Sequence, residues 1–250
     1  MPRLPTLTAL ALVLALPALP AAAFDIQAMS VEDKAAFGAA VKDWLLENPD
    51  VLIEMSQRLD AQQQADQASA DRAMLADNHA AIFEDPNSWV GGNPAGDITV
   101  VEFMDYRCGY CRQAQADVEK LVSTDGNIRY VVKEFPILGA ASLISSKFAI
   151  AVRQIGGDAA YARAHETLMG LRGEPNEATL THLAKELGLD PAKVMRRMEG
   201  PEVAAVVDAN HALAKTLQIE GTPTFVIDGI MVRGYVPLDG MRKIVADARS

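Results

Sequence analysis

Two cysteines three positions apart, Cys108-Gly109-Tyr110-Cys111, are the only cysteines of this 250-residue chain. They stand where a short apolar run, Ile98 to Met104, gives way to a helical pattern. Two thiols at this spacing can close a small ring or react one after the other with a third sulfur. Because the chain holds no third thiol, that sulfur has to belong to another molecule. The pair therefore predicts thiol-disulfide exchange.

The position of the pair predicts which cysteine reacts first. A cysteine in the first turn of a helix faces unpaired backbone N–H groups and the positive end of the helix dipole, which lower its pKa from about 8.5 to between ~3.5 and ~7.5. We expect Cys108 to be the nucleophile and Cys111, one turn further along, to attack the mixed disulfide and release the partner. Gly109 and Tyr110 are expected to tune the stability of the thiolate and hence the redox potential, and to contribute to binding of the substrate.

Other interpretations of the pair are weaker. An inert staple across one turn would remove little entropy from the unfolded chain, since the loop is so small. A structural zinc site needs about four ligands, and none of the four histidines is near in sequence (His79, His165, His182 and His211). A Cu(I)-binding or redox-chaperone module that uses the same two thiols stays open as the alternative function, because two thiolates suit Cu(I). It predicts tight copper binding with little turnover. Otherwise the sequence predicts neither a cofactor nor a resident metal.

The first residues indicate export. Arg3 precedes an apolar run from Leu7 to Leu16, and small residues follow up to Ala23, which is the order of a secretory signal peptide over residues 1–23 with cleavage before Phe24. The run is too short to span a membrane, so the alternative is an uncleaved interfacial anchor. We expect a periplasmic protein with no membrane span after signal removal, in an oxidising space where a lone cysteine pair can act as a reagent.

Composition narrows the class of partner. The chain is 50% hydrophobic and 22% charged, which is typical of a globular protein with an ample core. Its formal net charge is −10 at pH 7, and such an acidic chain is a poor nucleic-acid binder. Its length suits one ordinary domain with an appendage.

Residues 24–90 form the predicted appendage, an N-terminal helical arm. Ser30 can cap a first helix, and Asn48-Pro49 can end it and start a second. Each helix carries an apolar stripe, on the first Phe37, Val41, Trp44 and Leu45 and on the second Val51, Leu52, Met55 and Leu59. Because exposed apolar stripes are normally covered, we expect this arm to make the protein a homo-oligomer, with docking on the main domain as the alternative.

The turn-rich segment 89–97 is expected to separate the arm from a main domain over residues 91–250. There the pattern predicts a strand over 98–104, a helix from 108 to about 122, a strand over 128–135, helices from 139 to 199 with breaks at three glycine-containing segments, a helix over 202–217, two short strands over 224–227 and 230–233, and a helix over 238–248. Asp228-Gly229 between the short strands is a strong hairpin signal. This order predicts an α/β protein, a thioredoxin fold with a helical subdomain inserted at about 139–200.

Two segments carry a family resemblance. Val101-Glu-Phe-Met-Asp-Tyr-Arg-Cys-Gly-Tyr-Cys111, followed downstream by Gly221-Thr-Pro-Thr-Phe225, resembles the DsbA-like thiol-disulfide oxidoreductases. The stretch Trp44-Leu-Leu-Glu-Asn-Pro-Asp-Val-Leu52 is similar to the leader region of the Com1/ScsC-type branch. Together these matches extend over essentially the whole mature chain. They imply that Thr222-Pro223 is a cis peptide facing the Cys108 sulfur, with the Thr222 backbone offered to a partner peptide as an added strand.

Glu102 and Lys133 are the remaining site candidates. Glu102 shares its side of the first strand with Val100 and Met104, so burial is expected to raise its pKa and fit it for proton exchange with Cys111. Lys133, in the apolar run of the next strand, is its expected partner. The family carries a comparable acid and base beneath the cysteines. The alternative is a partly solvated pair at the strand edge.

These observations predict a protein-disulfide oxidoreductase that acts on cysteine-containing exported proteins and exchanges electrons with a membrane oxidase or reductase. An oligomer can face its active sites inward around a client, which favours isomerase or reductase action over oxidase action. Gly-Tyr between the cysteines and Thr222 before the proline also resemble isomerase-type relatives more than strong oxidants.

Overall fold

A computed structural model describes residues 28–250 of the protein. The predicted signal peptide lies outside the described residues. Those residues fall into two compact units, which separate between Asp60 and Ala61. No helix in this range is long and apolar enough to cross a membrane.

The first unit holds helix α1, Val31–Glu47, and the beginning of α2, Asp50–Asp77. The Ser30 hydroxyl accepts a hydrogen bond from the Asp33 N–H at 3.1 Å, which confirms the predicted cap. α1 ends at Asn48, as predicted, and holds no buried residue. Large apolar side chains in this unit are exposed to solvent, among them Phe37, Val41, Trp44, Leu46, Leu52, Ile53, Met55 and Leu59.

The second unit is built on a five-stranded sheet in the order β1-β3-β2-β4-β5. Its strands are β1 Trp89–Gly92, β2 Ile98–Met104, β3 Ile128–Glu134, β4 Thr224–Ile227 and β5 Ile230–Arg233. β2 and β3 are parallel and the other neighbours are antiparallel. The thioredoxin-type α/β architecture is therefore confirmed.

Helices surround this sheet. They are α3 His79–Phe83, α4 Gly109–Asp125, α5 Ala140–Gly170, α6 Glu177–Glu186, α7 Pro191–Met198, α8 Pro201–Thr216 and α9 Leu238–Ala248. The predicted helical insertion corresponds to α5, α6 and α7. Its expected break at residues 156 and 157 is a kink inside α5, where Gly157 has φ +78°, a conformation that favours glycine.

The segment at Trp89 corrects the prediction of a turn. Trp89–Gly92 is an edge strand that pairs antiparallel with β3, with Trp89 opposite Val132. The Trp89 ring stacks on Tyr161 at a centroid distance of 5.4 Å, and its Nε1 donates to the Asp158 carbonyl at 3.1 Å. These contacts come from a helix about 70 residues away in sequence. Tertiary packing therefore determines the secondary structure of this segment, although its local sequence favours a turn.

The predicted boundary after residue 90 differs from the one that the structure shows. Residues from Ala61 onward belong to the second unit. Leu75 and Ile82 are buried in the same cluster as Phe103 of β2. Asp71 on α2 accepts hydrogen bonds from both terminal nitrogens of Arg233 on β5, at 2.7 and 2.8 Å. The later part of the predicted arm is thus docked on the sheet, and of the described residues only 28–60 form a separate unit.

Side chains alternate between the two faces of the central strand β2. Val100 and Met104 lie in the larger core cluster, together with the two cysteines of α4. Val101 and Phe103 lie in the second cluster, with residues of α2, α3 and α8. A residue's position along β2 or β3 therefore decides whether it faces the cysteine helix or the opposite side.

Candidate active site

The cysteine pair stands at the amino end of α4. Cys108 is the N-cap residue, with φ −73° and ψ 120°, and Cys111 lies in the first turn. The Cys111 N–H donates to the Cys108 sulfur at 3.4 Å. Both cysteines are free thiols; Cys108 has 6% of its surface exposed and Cys111 has none. The small accessible area at Cys108 is the point where an incoming sulfur can reach the pair.

The two thiols differ strongly in acidity. The pKa of Cys108 is lowered to about 5, chiefly because the Cys111 thiol hydrogen-bonds to its sulfur, with the backbone N–H groups of Tyr110 and Cys111 adding to the effect. The pKa of Cys111 is raised far above its usual range by the same hydrogen bond, by burial and by the charge of Glu102. At neutral pH, Cys108 is therefore a thiolate and Cys111 a thiol, which is the division of roles expected from the sequence.

The loop before β4 lies against the reactive sulfur. The Thr222-Pro223 peptide is cis, which confirms the prediction. The Cys108 sulfur lies 3.1 Å from the Thr222 carbonyl oxygen, to which it donates a hydrogen bond when it is protonated. Register explains the proximity: β4 runs antiparallel to β2 with Thr224 opposite Phe103, so the start of β4 meets the end of β2, just before the cysteine motif.

Glu102 lies on the cysteine side of β2. Only 1% of its surface is exposed. Its pKa is raised to about 7, mainly by burial, with the charge of Cys108 adding to the rise and a hydrogen bond from the Tyr130 hydroxyl opposing it. The predicted rise in pKa is therefore confirmed. A carboxyl group that titrates near neutral pH can both accept and return a proton under working conditions.

Lys133 is not the partner of Glu102, so this prediction is wrong. In the parallel pairing of β2 and β3, Lys133 stands opposite Phe103 and shares its face of the sheet. Its ammonium donates to the Ala81 carbonyl at 2.8 Å and to the Asp85 carboxylate at 2.7 Å. It therefore anchors the α3 region on the back of the sheet. The polar partner of Glu102 is Tyr130, which the sequence analysis did not single out.

Gly109 and Tyr110 border the cysteines in different ways. A side chain added at Gly109 would meet nothing within 4 Å, so glycine is not required there by space. Tyr110 projects into solvent with 64% of its surface exposed. Its ring is free to contact a molecule that approaches Cys108.

The comparisons with known proteins agree with this geometry. Residues 99–246 match the family described as the DSBA-like thioredoxin domain. This protein belongs to that family. Residues 33–66 match the copper resistance protein ScsC N-terminal domain. The resemblance that the sequence motifs carry is confirmed on both parts of this DSBA-like protein.

Two solved structures illustrate the likeness. A thioredoxin-like oxidoreductase from Silicibacter pomeroyi DSS-3 is 44% identical, with a TM-score of 0.64 over 69% of the present chain and 98% of that protein. A periplasmic thioredoxin-like protein from Salmonella enterica serovar Typhimurium is 26% identical, with a TM-score of 0.62 over 68% of this chain and 94% of the other.

Curated relatives include longer proteins. The chain spans about a third of the first of them: the Na+/H+ antiporter NhaA 1 of Salinispora arenicola is 26% identical over 219 residues, which make up 86% of this chain and 32% of the antiporter. A putative protein-disulfide oxidoreductase from Rickettsia conorii is 25% identical over 162 residues, 60% of this chain and 57% of that protein.

The DSBA-like domain holds a second carboxyl group with a raised pKa, that of Glu134, which no sequence pattern predicts. Glu134, at the end of β3, accepts hydrogen bonds from the hydroxyls of Tyr161, Ser146 and Tyr106 at 2.6, 2.7 and 2.8 Å. Burial raises its pKa to about 7. Tyr106 also contacts His165, whose pKa burial lowers to about 4. Through Tyr106 this cluster holds the segment that leads into the cysteine motif.

Asp105 also holds the segment that leads into the cysteine motif. One of its carboxylate oxygens accepts from the Arg107 N–H at 2.7 Å, and the other accepts from the backbone N–H groups of Ile137 and Leu138 at 2.8 and 3.0 Å. The Cys108 N–H donates to the Asp105 carbonyl at 3.1 Å. Such bonds hold the sulfur in one place before any partner arrives.

The arrangement can carry out sulfur exchange. It supplies a thiolate at a helix end, a second thiol in reach of it, and a buried carboxyl group beneath both. Among residues 28–250 no group of three or more metal-ligating side chains comes together. The two thiols are the soft ligands that the site offers.

Proposed function

We propose that this protein is a periplasmic thiol-disulfide oxidoreductase that acts on the cysteines of exported proteins. The observation that carries the proposal is the Cys108 sulfur at the amino end of α4, with a pKa of about 5, against the carbonyl of the cis Thr222-Pro223 peptide. A thiolate is the form of cysteine that attacks a disulfide.

Catalysis on a disulfide partner then takes two exchanges. The Cys108 thiolate attacks one sulfur of the partner's disulfide, so that a Cys108–partner bond forms and the other partner sulfur leaves as a thiolate. Cys111 next attacks the Cys108 sulfur, closing the Cys108–Cys111 disulfide and expelling the partner as a second thiolate. The partner is reduced and the protein is oxidised. The reverse sequence oxidises a dithiol partner. If the partner rearranges its own disulfides while it is bound to Cys108, and is then released from Cys108, the reaction is an isomerisation.

Glu102 supplies the proton transfers of the second exchange. Cys111 is a poor nucleophile while it is protonated, and its pKa is raised far above the usual range. The Glu102 carboxylate takes the Cys111 proton as the new disulfide forms, and returns it when the reaction runs backwards. Its pKa of about 7 suits both directions at neutral pH.

The partner's backbone docks beside the sulfur. Thr222 presents its peptide group next to Cys108, two residues before β4 begins. An extended peptide that pairs with this segment places its cysteine over Cys108. Pairing through the main chain does not depend on side chains, which suits an enzyme with many clients.

Isomerase or reductase action is favoured by the first unit. Its large apolar side chains are exposed in a single chain, with Trp44 at 52% and Leu46 at 69%. Exposed apolar surface is normally covered, and a second copy of the same unit is the covering proposed here. In such an oligomer several active sites can work on one client and stay apart from an oxidising partner.

A periplasmic location is supported by the signal-peptide pattern of residues 1–23 and by the Salmonella relative described as periplasmic. In that compartment the redox partner is a membrane oxidase or reductase that resets the Cys108–Cys111 pair.

The test is recovery of activity from a scrambled substrate that carries several disulfides. We expect recovery with the mature protein, none with Cys108→Ala, and a clear loss with a version that lacks residues 24–60. The deletion stops at residue 60 because Leu75, Ile82 and Trp89 are needed by the second unit. Sedimentation should show a smaller assembly for the shortened version.

Reduced substrate serves as the comparison. If only reduced substrate is activated, and equally by both lengths of the protein, the function is that of an oxidase and the first unit has another role. If neither substrate responds while the dithiol form binds Cu(I) tightly, the oxidoreductase proposal fails and the copper-binding alternative takes its place.

A further inference from the structure

Tyr130 is the polar neighbour of the buried Glu102 carboxyl group. The side chains of Val100 and Glu102 on β2 and of Tyr130 and Val132 on β3 share one face, with Val100 opposite Tyr130 and Glu102 opposite Val132. A long aromatic side chain can reach the diagonal neighbour on the next strand. The Tyr130 hydroxyl donates to the Glu102 Oε2 atom, and within residues 28–250 no other side chain donates a hydrogen bond to this carboxylate.

The neighbours of Glu102 on β2 and β4 offer its carboxylate no side-chain hydrogen-bond donor. The residues beside it on its strand, Val101 and Phe103, face the other core cluster, and Phe225 stands opposite it on β4. A carboxylate buried among apolar groups is costly unless a donor satisfies it. The Tyr130 hydroxyl therefore carries an interaction that the apolar neighbours cannot replace.

A cavity reaches Tyr130 from the surface. It has a volume of about 750 Å³ and is lined by Tyr130 together with Trp89, Gln115, His165 and residues exposed to solvent, such as Glu119. Glu102 does not line it. Tyr130 thus hydrogen-bonds to the buried carboxyl group and also forms part of the wall of an open cavity.

We infer that Tyr130 is a positioning residue of the exchange reaction: its hydroxyl holds the Glu102 carboxylate where it receives the proton of Cys111. The inference rests on the proposed function. In this step the S–H bond of Cys111 breaks and its proton goes to Glu102. The Cys111 sulfur bonds to Cys108, and the partner's sulfur leaves with the electron pair of the broken disulfide.

Few ionisable groups surround Glu102. α4 contributes the two cysteines, β3 contributes Tyr130, and α5 contributes Tyr161 through its interaction with Tyr130; β4 contributes none, since Phe225 faces Glu102 there. Lys133 faces the other side of the sheet. Removal of the Tyr130 hydroxyl is therefore expected to change the pKa of Glu102 first. Through Glu102 it then changes the deprotonation of Cys111.

The test is Tyr130→Phe in the full mature chain. It keeps the ring and removes the hydroxyl, so the charged form of Glu102 loses its hydrogen bond. We expect the titration of Glu102, followed by carbon NMR of its carboxyl group in the disulfide form, to move up by about one pKa unit. Release of a preformed mixed disulfide with a cysteine peptide should slow about tenfold below neutral pH and recover at alkaline pH. The first attack by Cys108 should keep its rate.

Tyr235→Phe is the matched control. The Tyr235 hydroxyl donates to the carboxylate of Asp117 on α4 at 2.6 Å. Its removal should leave the pKa of Glu102 unchanged. In a Glu102→Gln background, Tyr130→Phe should have no further effect on release, because it acts through that carboxyl group.

Three results have distinct meanings. If Glu102 titrates at the same pH in Tyr130→Phe and in the unaltered protein, the inference is overturned. An additional slowing of release in the Glu102→Gln background would show a merely structural role for Tyr130, and would also overturn it. Absence of exchange in the unaltered protein would defeat the proposed function instead, and the NMR titration would still decide whether Tyr130 holds Glu102.

Discussion

A Cys111→Ser variant is expected to accumulate as a covalent mixed disulfide with its protein partners, whereas a Cys108→Ser variant should form none. Cys108 is the sulfur with an accessible surface and a pKa of about 5, so it makes the first bond. Cys111 is fully buried and protonated, so it serves only to break that bond. Serine is close to cysteine in size but cannot form a disulfide.

The expected magnitudes are large. Without Cys108 the exchange rate should fall by more than about a thousandfold, since no other thiolate is available to replace the nucleophile. Without Cys111 the first step should survive, and release should then depend on an external thiol. Non-reducing electrophoresis of the protein mixed with a disulfide-containing substrate, followed by mass spectrometry, measures the adduct directly.

The double variant with serine at both positions provides the control for non-covalent association. An adduct on Cys111 in the Cys108→Ser variant would contradict this division of roles, because it would mean that a partner reaches the buried sulfur. Equal trapping by both single variants would show that the asymmetry in burial and acidity is lost when a partner binds.

Local signals account for the parts of the fold that the sequence predicts. The bounds of β2, β4 and β5 agree with the predicted strands, since each is a short apolar run flanked by turn residues, and Asp228-Gly229 joins the last two. The reactive pair and the Thr222-Pro223 turn are likewise short motifs. Their meeting, 114 residues apart in sequence, depends on the pairing of β4 with β2.

Register and packing account for what sequence reasoning missed. Whether Lys133 or Tyr130 shares a face with Glu102 depends on how β2 and β3 are aligned, and a shift of one residue reverses the answer. The turn-like Trp89 segment becomes a strand because its ring packs on α5. The charged, alanine-rich part of α2 packs on the sheet because Asp71 accepts a hydrogen bond from Arg233, which is 162 residues away in sequence. None of these contacts has a local signature.

The stability of the reduced protein is expected to rise relative to the oxidised protein as the pH increases from about 5 to about 9. Cys108 has a folded-state pKa of about 5, against an ordinary value of 9.0. A depressed pKa stabilises the folded state fully above the unfolded value, and the contribution is lost as the pH falls through the folded value. The oxidised protein has no thiol at this position and lacks the effect.

Comparison of the two redox forms removes most of the contribution of the other titrating groups to the pH dependence of stability. Glu102 and Glu134 have raised pKa values of about 7, so their burial stabilises the protein most at low pH and less as the pH rises through about 7, but in both forms. The Cys108 charge raises the pKa of Glu102 in the reduced form alone, which reduces the expected gain. Cys111 stays protonated in the folded chain, and in the unfolded chain it ionises only as the pH nears the ordinary value of 9.0, so it contributes little below that pH.

Urea unfolding of both forms at about pH 5 and about pH 8.5 measures the effect. The full shift of Cys108 would correspond to about 5 kcal/mol, but solvent at the open helix end screens part of it, so a relative gain of about 2–3 kcal/mol is expected. A Cys108→Ser variant, which has neither the thiolate nor the disulfide, should show the pH dependence of the oxidised protein. Identical pH dependence of the reduced and oxidised proteins would contradict the lowered pKa.

This difference in stability also decides how strongly the disulfide oxidises its partners. Stabilising the folded dithiol relative to the folded disulfide raises the reduction potential, and for two electrons about 1.4 kcal/mol corresponds to about 30 mV. A gain of about 2–3 kcal/mol thus makes the pair about 40–65 mV more oxidising than one with an unperturbed thiol. Redox titration against glutathione should give a potential that becomes more negative with pH less steeply above about pH 5 than below it, because the reduced protein then carries one proton on Cys111 and none on Cys108.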